Sequence, residues 1–596
     1  MLPFDDSRRL TGSNLFFAST GAVLEVVGVE LDQALLDAWR TRIERARRGL
    51  GWDQPGVVAR VHATGASLAI AAPCDLLYLA TEVNEWAWCA AVRERDLSRW
   101  NGLEAALQAA AVDDALDPAS VVPPVLAEAA AMARFALLAE REIRPALRRL
   151  LAAAQATREL PYLLDDTELT LGAGSGGRSY LLESLPATDE VPWDQLHDIP
   201  TAVVTGSNGK TTTVRLLAAC ARAHGWHAAY NCTDGVYFDH ETLASGDYSG
   251  PAGTRRVLRE PRCQAAILET ARGGILRRGI AVSHAHVALV TNVSSDHFGE
   301  YGIHDLDGLA DVKLSVAAVV RPGGVLVLNA DDPLLRTKVT QLAGRFGRCP
   351  TLGWFAQDAD SEALRQHRAQ GGATCGVRAG RLMLAQGRDE FDLGSVESMP
   401  LTIGGFAHYN VANLAGAALA ACALGIPATT VAGVYARFGS DVADNPGRMM
   451  RYRVGGVHVL LDYAHNPDGL RGFLAVAEQL RAGNGRLGVL LGHAGNRQDI
   501  DIEEVARVAA EFRPDLVVIK EIPTHLRGRA TGEIPRIIRA ALLAARVPES
   551  ALVDKGGELE AAEYALNWAR PGDVLGLLVH APVARAAVLE RLSHSQ

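Results

Sequence analysis

Residues 205–213 read TGSNGKTTT and follow a short apolar run, TAVV. A glycine–lysine–threonine sequence between a strand and a helix predicts a loop whose backbone N–H groups surround phosphates, with Lys210 supplying charge and Thr211 a magnesium ligand. The helical pattern VRLLAACARAHG comes next, so a phosphate would face a helix N-terminus, which favours anions. The commoner phosphate loop needs a glycine where Val204 stands, so the shorter spacing indicates a narrower class of nucleotide-binding loop.

Around this loop, short runs of β-branched residues and leucine alternate with alanine-rich helical segments. The first series comprises TAVVTG, AAILET, VALVTN and VLVLNA, and a second comprises VLLDY, RLGVLLG, DLVVIK and DVLGLLV. This alternation predicts parallel strands joined by crossover helices, in two domains that meet near residues 442–446. Residues 371–401 mix glycine with short alternating segments, which predicts either a small β insertion or the tail of the first sheet.

The N-terminal part has a different pattern of hydrophobic residues. Short alternating runs precede long helices rich in alanine, leucine and arginine, a pattern typical of an α+β module. We therefore predict an α/β chain with a P-loop, doubly wound central domain and a Rossmann-like C-terminal domain, preceded by an α+β N-terminal domain. The predicted boundaries are 1–160 for the N-terminal domain, 161–198 for a connector, 199–442 for the central domain and 443–596 for the C-terminal domain.

Composition limits the partners and the compartment. The 596 residues include 69 acidic and 59 basic side chains, and the basic ones form no block, which argues against a nucleic-acid or anionic-membrane surface. The apolar stretch 417–436 is rich in alanine and broken by Pro427, so it predicts core helix rather than a membrane span. The first residues, MLPFDDSRRL, show no apolar signal region. Eight cysteines without a CxxC pair argue against a zinc site or disulfide framework and for the reducing cytoplasm.

Polar side chains end two further strands of the central sheet. Glu269 ends AAILE, and Asp296 and His297 come shortly after VALVTN. Carboxyl ends of strands line the ligand crevice of doubly wound sheets, so a carboxylate at Glu269 can reach the metal carried by ATP. The alternative for Glu269 is an ion pair with Arg272, and the alternative for His297 is an exposed or hydrogen-bonded loop histidine.

These segments together resemble a known family. GSNGKTTT, LETARGG, TNVSSDHFG and DVKLSV are similar to the Mur ligases and folylpolyglutamate synthetases, which share a short GxxGK(T/S) loop. The resemblance implies ATP and Mg²⁺ as cofactors, with Glu269 and His297 as metal ligands. It also implies that Lys313 is carbamylated, which turns a cation into an oxygen ligand suited to Mg²⁺.

The resemblance continues downstream. GGFAHYNVANLAGA is similar to the adenine segment of the family, and NPGRMM and LLDYAHNPDG are similar to the C-terminal contribution to ATP binding. The implied catalytic residues are Lys210, Glu269, His297, Lys313, Arg448 and Asp462. The implied nucleotide-binding residues are Gly206, Ser207, Asn208, Gly209, Lys210, Thr211, Thr212, Asn292, Asn410, Asn413, Arg448, Asp462 and His465. The implied metal ligands are Thr211, Glu269, His297 and Lys313.

Within this superfamily, three segments resemble the Mur-like half of cyanophycin synthetases: NCTDGVYFDHETLASGDYSGPAG, LETARGGILRRG and KEIPTHLRGRATGE. This implies an ADP-forming ligase that joins an amine such as arginine to an acidic peptide or polymer. An ATP-grasp domain would need about 200–300 residues before the phosphate loop, and 161–198 is too short for one. In cyanophycin synthetases, the ATP-grasp domain extends the backbone of the polymer. The resemblance therefore implies that this step is lost or supplied by a separate ATP-grasp synthetase.

Two alternatives remain open at this point. One is a ligase of the same type acting on an unrelated small acid, and the other is a non-catalytic partner of a full-length synthetase. The six implied catalytic residues argue against the second alternative, since a silent partner has no chemical need for them. We also expect a homo-oligomer, and we expect the hinge near 442–446 to move as the C-terminal domain closes and excludes water.

Overall fold

The protein is described by a computed structural model that covers residues 3–96, 126–158, 160–295, 298–481, 483–495 and 497–593. Its strands form sheets of four, three, eleven and six members in chain order. The mixed α/β architecture with two large, mainly parallel sheets confirms the predicted fold class.

The N-terminal sheet is antiparallel and is covered by helices on one face. Its strand order is β1-β2-β4-β3, and Trp39, Trp86 and Trp88 fill the core below it. The indole N–H of Trp39 donates to Oδ1 of Asn84 at 2.9 Å, so the largest buried ring also has a polar partner. The elements are β1 (Asp6–Leu10), β2 (Gly21–Val27), α1 (Gln33–Gly49), β3 (Val57–His62), β4 (Gly65–Ala71), α2 (Leu77–Arg95), α3 (Glu128–Glu142) and α4 (Pro145–Arg158).

The predicted connector contains regular structure. It forms a small antiparallel sheet of β5 (Tyr162–Leu164), β6 (Glu168–Leu171) and β7 (Arg178–Leu181). Leucines of this sheet and of α4 share one hydrophobic cluster. The N–H of Ser175 donates to the carbonyl of Cys263 at 2.7 Å, which ties this unit to the central domain.

The central sheet has eleven strands in the order β11-β10-β9-β12-β8-β13-β14-β15-β16-β17-β18. Strands β9 to β16 in that order are parallel neighbours, and the two edges are antiparallel. The strands are β8 (Thr201–Thr205), β9 (Ala228–Cys232), β10 (Gly235–Phe238), β11 (Glu241–Ser245), β12 (Ala265–Glu269), β13 (Ala285–Val290), β14 (Val320–Asn329), β15 (Thr351–Asp358), β16 (Ala373–Arg378), β17 (Arg381–Gln386) and β18 (Asp389–Ser395). Residues 371–401 are thus the tail of this sheet, which was one of the two predicted alternatives.

Helices cover both faces of the central sheet. They are α5 (Lys210–Ala223), α6 (Pro251–Leu258), α7 (Arg272–Arg278), α8 (Leu306–Leu314), α9 (Pro333–Lys338), α10 (Leu342–Phe346), α11 (Glu362–Ala369), α12 (His408–Ala423) and α13 (Ala428–Tyr435). The alanine-rich stretch forms α12 and α13 on either side of Pro427, and both pack into the core shared with α5. In the described ranges, no helix combines the length and the apolar composition needed to cross a bilayer.

The C-terminal sheet has the order β19-β20-β24-β21-β22-β23 and is parallel except for its edge strand β19. The strands are β19 (Met450–Val454), β20 (Val457–Asp462), β21 (Leu487–Leu491), β22 (Leu516–Lys520), β23 (Leu552–Lys555) and β24 (Val574–Leu578). The helices are α14 (Pro467–Leu480), α15 (Asp499–Glu511), α16 (Glu533–Ala544), α17 (Glu558–Trp568) and α18 (Pro582–Ser593). The first three cover one face and the last two the other, as in a doubly wound domain.

Candidate active site

The P-loop joins β8 to α5 at the centre of the large sheet, between the ends of β12 and β13. Gly206 and Gly209 have φ values of 147° and 85°. A Cβ on Gly206 would lie 1.8 Å from Oγ1 of Thr291, and a Cβ on Gly209 would lie 2.1 Å from Oδ1 of Asn413. Both positions therefore require glycine, for backbone conformation and for space.

The residues after β13 shape this loop. The amide of Asn292 accepts from the N–H of Asn208 at 3.0 Å and donates to its carbonyl at 3.1 Å. The hydroxyl of Ser207 donates to the carbonyl of Ser294 at 2.9 Å. Asn292 thus orients the P-loop backbone, and its direct contact with a nucleotide stays a prediction.

Lys210 and Thr212 lie on the first turn of α5. The ammonium of Lys210 donates to the carbonyls of Gly206 and Ser207, both at 3.0 Å, so it lies over the loop that precedes it. Thr212 accepts at 3.2 Å from the side-chain amide of Asn445, which belongs to the hinge before the C-terminal domain. The start of α5 therefore contacts both the phosphate loop and the hinge.

Glu269 is fully buried at the end of β12. Its Oε2 accepts from the hydroxyl of Thr211 at 2.8 Å, and its Oε1 accepts from the hydroxyl of Thr233 at 3.0 Å. The guanidinium of Arg272 pairs with Glu300, and the two hydroxyl partners of Glu269 come from the start of α5 and from the turn after β9. Hydroxyl and carboxylate oxygens are ligands that Mg²⁺ prefers, so this donor set fits the predicted metal.

Of the other two predicted metal ligands, the structure describes only Lys313. Asp296 and His297 lie outside the described residues. Lys313 lies on the last turn of α8 and is 2% exposed, so it is not the solvated helix residue that its type would suggest. Within the described ranges, no three His, Cys, Asp or Glu side chains gather into a metal-binding group; the carbamate at Lys313 stays a prediction.

Asn410 and Asn413 are buried in the first turns of α12. The side-chain amide of Asn413 donates to Oδ1 of Asn410 at 3.1 Å, and that of Asn410 donates to the carbonyl of Leu401 at 3.0 Å. Because Oδ1 of Asn413 also occupies the space beside Gly209, this pair supports the P-loop from behind. Its predicted contact with adenine is not tested by these hydrogen bonds.

Asp462 organises the hinge side of the crevice. It ends β20, and its carboxylate accepts from the N–H groups of Met449 at 2.6 Å and Ala464 at 2.7 Å. Burial raises the pKa of Asp462, and the charge of Arg448 acts in the opposite direction. Arg448 lies over the ring of Tyr463 at 4.4 Å, and its buried Nε has no hydrogen-bond partner in the described part of the chain.

His465 follows Tyr463 in the same loop, with Nδ1 3.2 Å from the carbonyl of Tyr463. The next residue, Asn466, was not predicted as a site residue. Its side-chain amide donates to Oδ1 of Asn208 at 2.9 Å, and its Oδ1 accepts from the N–H of Gly469 as the N-cap of α14. The sequence signal for the cap is the NPDG tetrapeptide, but nothing local indicates the contact with the P-loop.

The N-terminal domain braces the segment that leads into α8. Nη1 of Arg60 donates to the carbonyl of Gly302 at 2.7 Å. A Cβ on Gly302, whose φ is 67°, would lie 2.5 Å from Cδ2 of His62, so β3 packs closely on this loop. In the sequence, this loop lies between the predicted ligands His297 and Lys313, so the first domain contacts the segment that carries the predicted metal ligands.

Comparisons with known proteins show which families this chain is similar to. Residues 204–421 match the family described as Mur ligase middle domain, and residues 447–578 match Mur ligase, glutamate ligase domain. A cyanophycin synthetase of Crocosphaera subtropica is 36% identical over 396 residues, which are 66% of this chain and 43% of that protein. The UDP-N-acetylmuramoyl-L-alanyl-D-glutamate--2,6-diaminopimelate ligase of Chlorobium phaeobacteroides is 29% identical over 62% of this chain and 69% of its own length.

Among solved structures, ligases are similar to this chain at low identity. E. coli FolC in complex with ADP, without folate substrate, covers 67% of this chain and 90% of its own, at 17% identity and a TM-score of 0.47. The chain spans less than half the length of the cyanophycin synthetases that it matches. It contains the middle and C-terminal domains of a Mur ligase, and it belongs to the Mur ligase family.

Proposed function

We propose that this protein is an ATP- and Mg²⁺-dependent carboxylate–amine ligase that works through an acyl phosphate. The observation that carries the proposal is the meeting of two domains at one phosphate loop. Asn466 of the C-terminal domain binds Asn208, and the hinge residue Asn445 binds Thr212. A nucleotide held by this loop would therefore lie against the residues that the C-terminal domain contributes.

The chemistry follows from the charges around the loop. A carboxylate oxygen of the substrate attacks the γ-phosphorus of ATP, the bond to the β-phosphate oxygen breaks, and ADP leaves. The ammonium of Lys210 and the guanidinium of Arg448 would stabilise charge on the phosphate oxygens. Mg²⁺, when bound, would supply further positive charge, and Thr211 and Glu269 would hold it together with the predicted ligands His297 and carbamylated Lys313.

The second step forms the amide. The amine nitrogen attacks the acyl carbon, the bond to the phosphate oxygen breaks, and inorganic phosphate leaves while the nitrogen loses a proton. Water would compete with the amine, so a closed crevice protects the acyl phosphate. The contact between Asn466 and the P-loop is part of that closed arrangement.

We propose that the carboxylate substrate is an acidic peptide or an aspartate–arginine polymer. The second substrate is an amine such as arginine. The similarity to cyanophycin synthetase over 396 residues supports this choice, as do the three segments that resemble the Mur-like half of cyanophycin synthetases. A separate ATP-grasp synthetase is proposed as its working partner, in the cytoplasm. A small unrelated acid and a non-catalytic role are the alternatives.

The test uses the purified full chain with ATP and Mg²⁺. Polyaspartate, cyanophycin primer and β-aspartyl-arginine are offered with and without arginine and other amines, and ADP and product mass are measured. We expect ADP release that requires both acceptor and amine, with a product heavier by the amine minus water. A Lys210→Met variant controls for contaminating ATPases.

Each alternative has its own outcome. Turnover only with a small acid outside this panel would replace the polymer by that acid. Absence of acceptor-dependent ADP in every pairing, together with stimulation of an added full-length synthetase, would establish the non-catalytic role.

The proposed carbamate on Lys313 has a separate test. A ¹³C signal from labelled bicarbonate that is lost in Lys313→Arg supports the carbamate, and full turnover by Lys313→Ala contradicts it.

A further inference from the structure

The turn between β9 and β10 carries two polar residues that face different domains. Thr233 donates to Glu269, so it belongs to the predicted metal side of the crevice. The next residue, Asp234, faces the C-terminal domain. Both lie in the NCTDG segment, which was singled out by resemblance without any function being attached to it.

The carboxylate of Asp234 joins two arginines from different domains. Its Oδ2 pairs with Nη2 of Arg215 on α5, and its Oδ1 pairs with Nη2 of Arg585 on α18, both at 2.8 Å. The side chains of Arg215, Asp234 and Arg585 are 3%, 14% and 12% exposed. Removing one partner of an ion pair that is shielded from water in this way leaves a buried charge unpaired, which costs far more than losing an exposed pair.

The charges around Asp234 favour its ionised form. Burial raises the pKa of the Asp234 carboxyl, but the positive charges of Arg448, Arg215 and Arg585 outweigh burial and hold that pKa below its usual range. The single carboxylate of Asp234 thus interacts with guanidinium groups from three places: Arg215 on the P-loop helix, Arg448 before β19 and Arg585 in the C-terminal domain.

The same arginines also contact the hinge. Nη1 of Arg215 donates to Oδ1 of Asn445 at 3.2 Å and to the carbonyl of Pro446 at 3.0 Å. A Cβ on Gly447 would lie 2.7 Å from Nη1 of Arg585, so the hinge backbone passes directly against this guanidinium. Moving the C-terminal domain away from the P-loop would therefore separate Arg585 from Asp234 and disturb the hinge contacts of Arg215.

We propose that Asp234 is a positioning residue, whose carboxylate captures Arg585 when the C-terminal domain closes over the nucleotide. Through the adjacent Thr233, closure is coupled to Glu269 and Thr211 at the phosphate loop. The proposal rests on the proposed ATP-dependent ligation for its catalytic consequence, but the closure itself requires only nucleotide.

The experiment uses the single variants Asp234→Asn and Arg585→Gln and the double variant that combines them. These three are compared with the single variant Arg585→Lys, which retains the positive charge. Arg539→Gln is the matched control, because Arg539 pairs with Asp554 inside the C-terminal domain. The radius of gyration from small-angle X-ray scattering is measured with and without a non-hydrolysable ATP analogue and Mg²⁺. Analogue affinity, melting temperature and turnover on the acceptor found above are measured in parallel.

We expect the nucleotide-dependent compaction to be lost in Asp234→Asn and in Arg585→Gln, and to be largely restored in Arg585→Lys. Turnover should fall by about 10- to 100-fold in the two single variants, with the affinity for the analogue changed by less than about threefold. The double variant should be no worse than either single variant, since both remove the same pairing.

Several results would overturn the proposal. Normal compaction in both single variants would remove the capture role, even if turnover fell. Additive losses in the double variant, or an equal loss in Arg539→Gln, would show a general effect on the fold. If no acceptor supports ADP release, the proposed ligation fails, while the scattering data still decide whether Asp234 captures Arg585.

Discussion

The side-chain amide of Asn466 donates a 2.9 Å hydrogen bond to Oδ1 of Asn208, across 258 residues of chain. The same side chain caps α14 through the N–H of Gly469 at 2.8 Å. One residue therefore starts the first helix of the C-terminal domain and fixes that helix to the phosphate loop.

These two roles can be separated by substitution. Asn466→Ala should lose about 1 kcal/mol of stability with the cap, and turnover should also fall. Asn466→Asp should retain the cap, because a carboxylate oxygen still accepts from Gly469, but it has no amide donor for Asn208. We expect Asp to preserve the melting temperature while turnover falls about tenfold, equal to about 1.4 kcal/mol. Wild-type turnover in Asn466→Asp would show that the interdomain hydrogen bond does not matter.

The packing beside the P-loop predicts a specific glycine requirement. Gly209→Ala should cost about 1–2 kcal/mol for a left-handed alanine and about 1–3 kcal/mol more for the clash with Asn413. Gly225→Ala, at the end of the same helix, also has a positive φ of 99° but meets no atom within 4 Å. Thermal unfolding should show the larger loss for Gly209→Ala, which should also lose stabilisation by Mg²⁺ and ATP. Equal losses in both variants would contradict the packing argument.

The buried carboxylate of Glu269 predicts a metal-dependent effect. Glu269→Gln should remove most of the rise in melting temperature that Mg²⁺ and ATP produce, because stabilisation by a ligand depends on its affinity. Without ligand, the variant should remain as stable as the wild type or gain stability, since a buried charge is removed. Glu241→Gln is the control, because Glu241 is 55% exposed on the outer strand of the same sheet. An unchanged Mg²⁺ dependence in Glu269→Gln would exclude Glu269 as a ligand.

Two buried histidines in the C-terminal domain predict acid sensitivity. Burial lowers the pKa of His493 and of His580 to about 4, with help from Arg497 and Lys520 respectively. The unfolded chain binds these protons near pH 6.5, so stability is complete above that pH and falls as the pH drops from 6.5 towards 4. The loss should approach about 1.4 kcal/mol per pH unit for each histidine.

Chemical denaturation across this pH range measures the slope. His580→Gln should make the dependence shallower, whereas His240→Gln, on an exposed turn, should leave it unchanged. A wild-type slope in His580→Gln would show that His580 does not titrate between the folded and unfolded states.

The contact between Arg60 and Gly302 predicts that the N-terminal domain affects the Mg²⁺ concentration that the enzyme needs for turnover. Arg60→Ala removes the 2.7 Å hydrogen bond to the loop before α8, so we expect the Mg²⁺ concentration for half-maximal turnover to rise several-fold. Arg40→Ala is the control, because Arg40 pairs only locally with Asp37 at an exposed position on α1. An identical Mg²⁺ requirement in both variants would limit the first domain to other roles.

Local signals account for what could be predicted. The strand, the Gly206–Gly209 spacing and Lys210 are contiguous, so the P-loop and its position at a helix start were readable from the sequence. Glu269 was recognisable as a strand-end carboxylate, but its contacts with Thr211 and Thr233 came only from the structure, and its role as a metal ligand stays a prediction. The regular sheet in 162–181 was missed, because its short strands lie among glycine, serine and acidic residues that are typical of a connector.

By itself, the sequence determined the alternation of strands and helices in the two large α/β domains, the phosphate loop and the resemblance to Mur ligases, since each depends on residues close together in the chain. Only the tertiary structure placed Asn466 on Asn208, Arg60 on Gly302 and Arg585 on Asp234. These pairs are separated by between 242 and 351 residues, and each forms only when separately folded domains meet. Their energy comes from hydrogen bonding and charge pairing in surroundings that exclude water, which no local pattern of residues specifies.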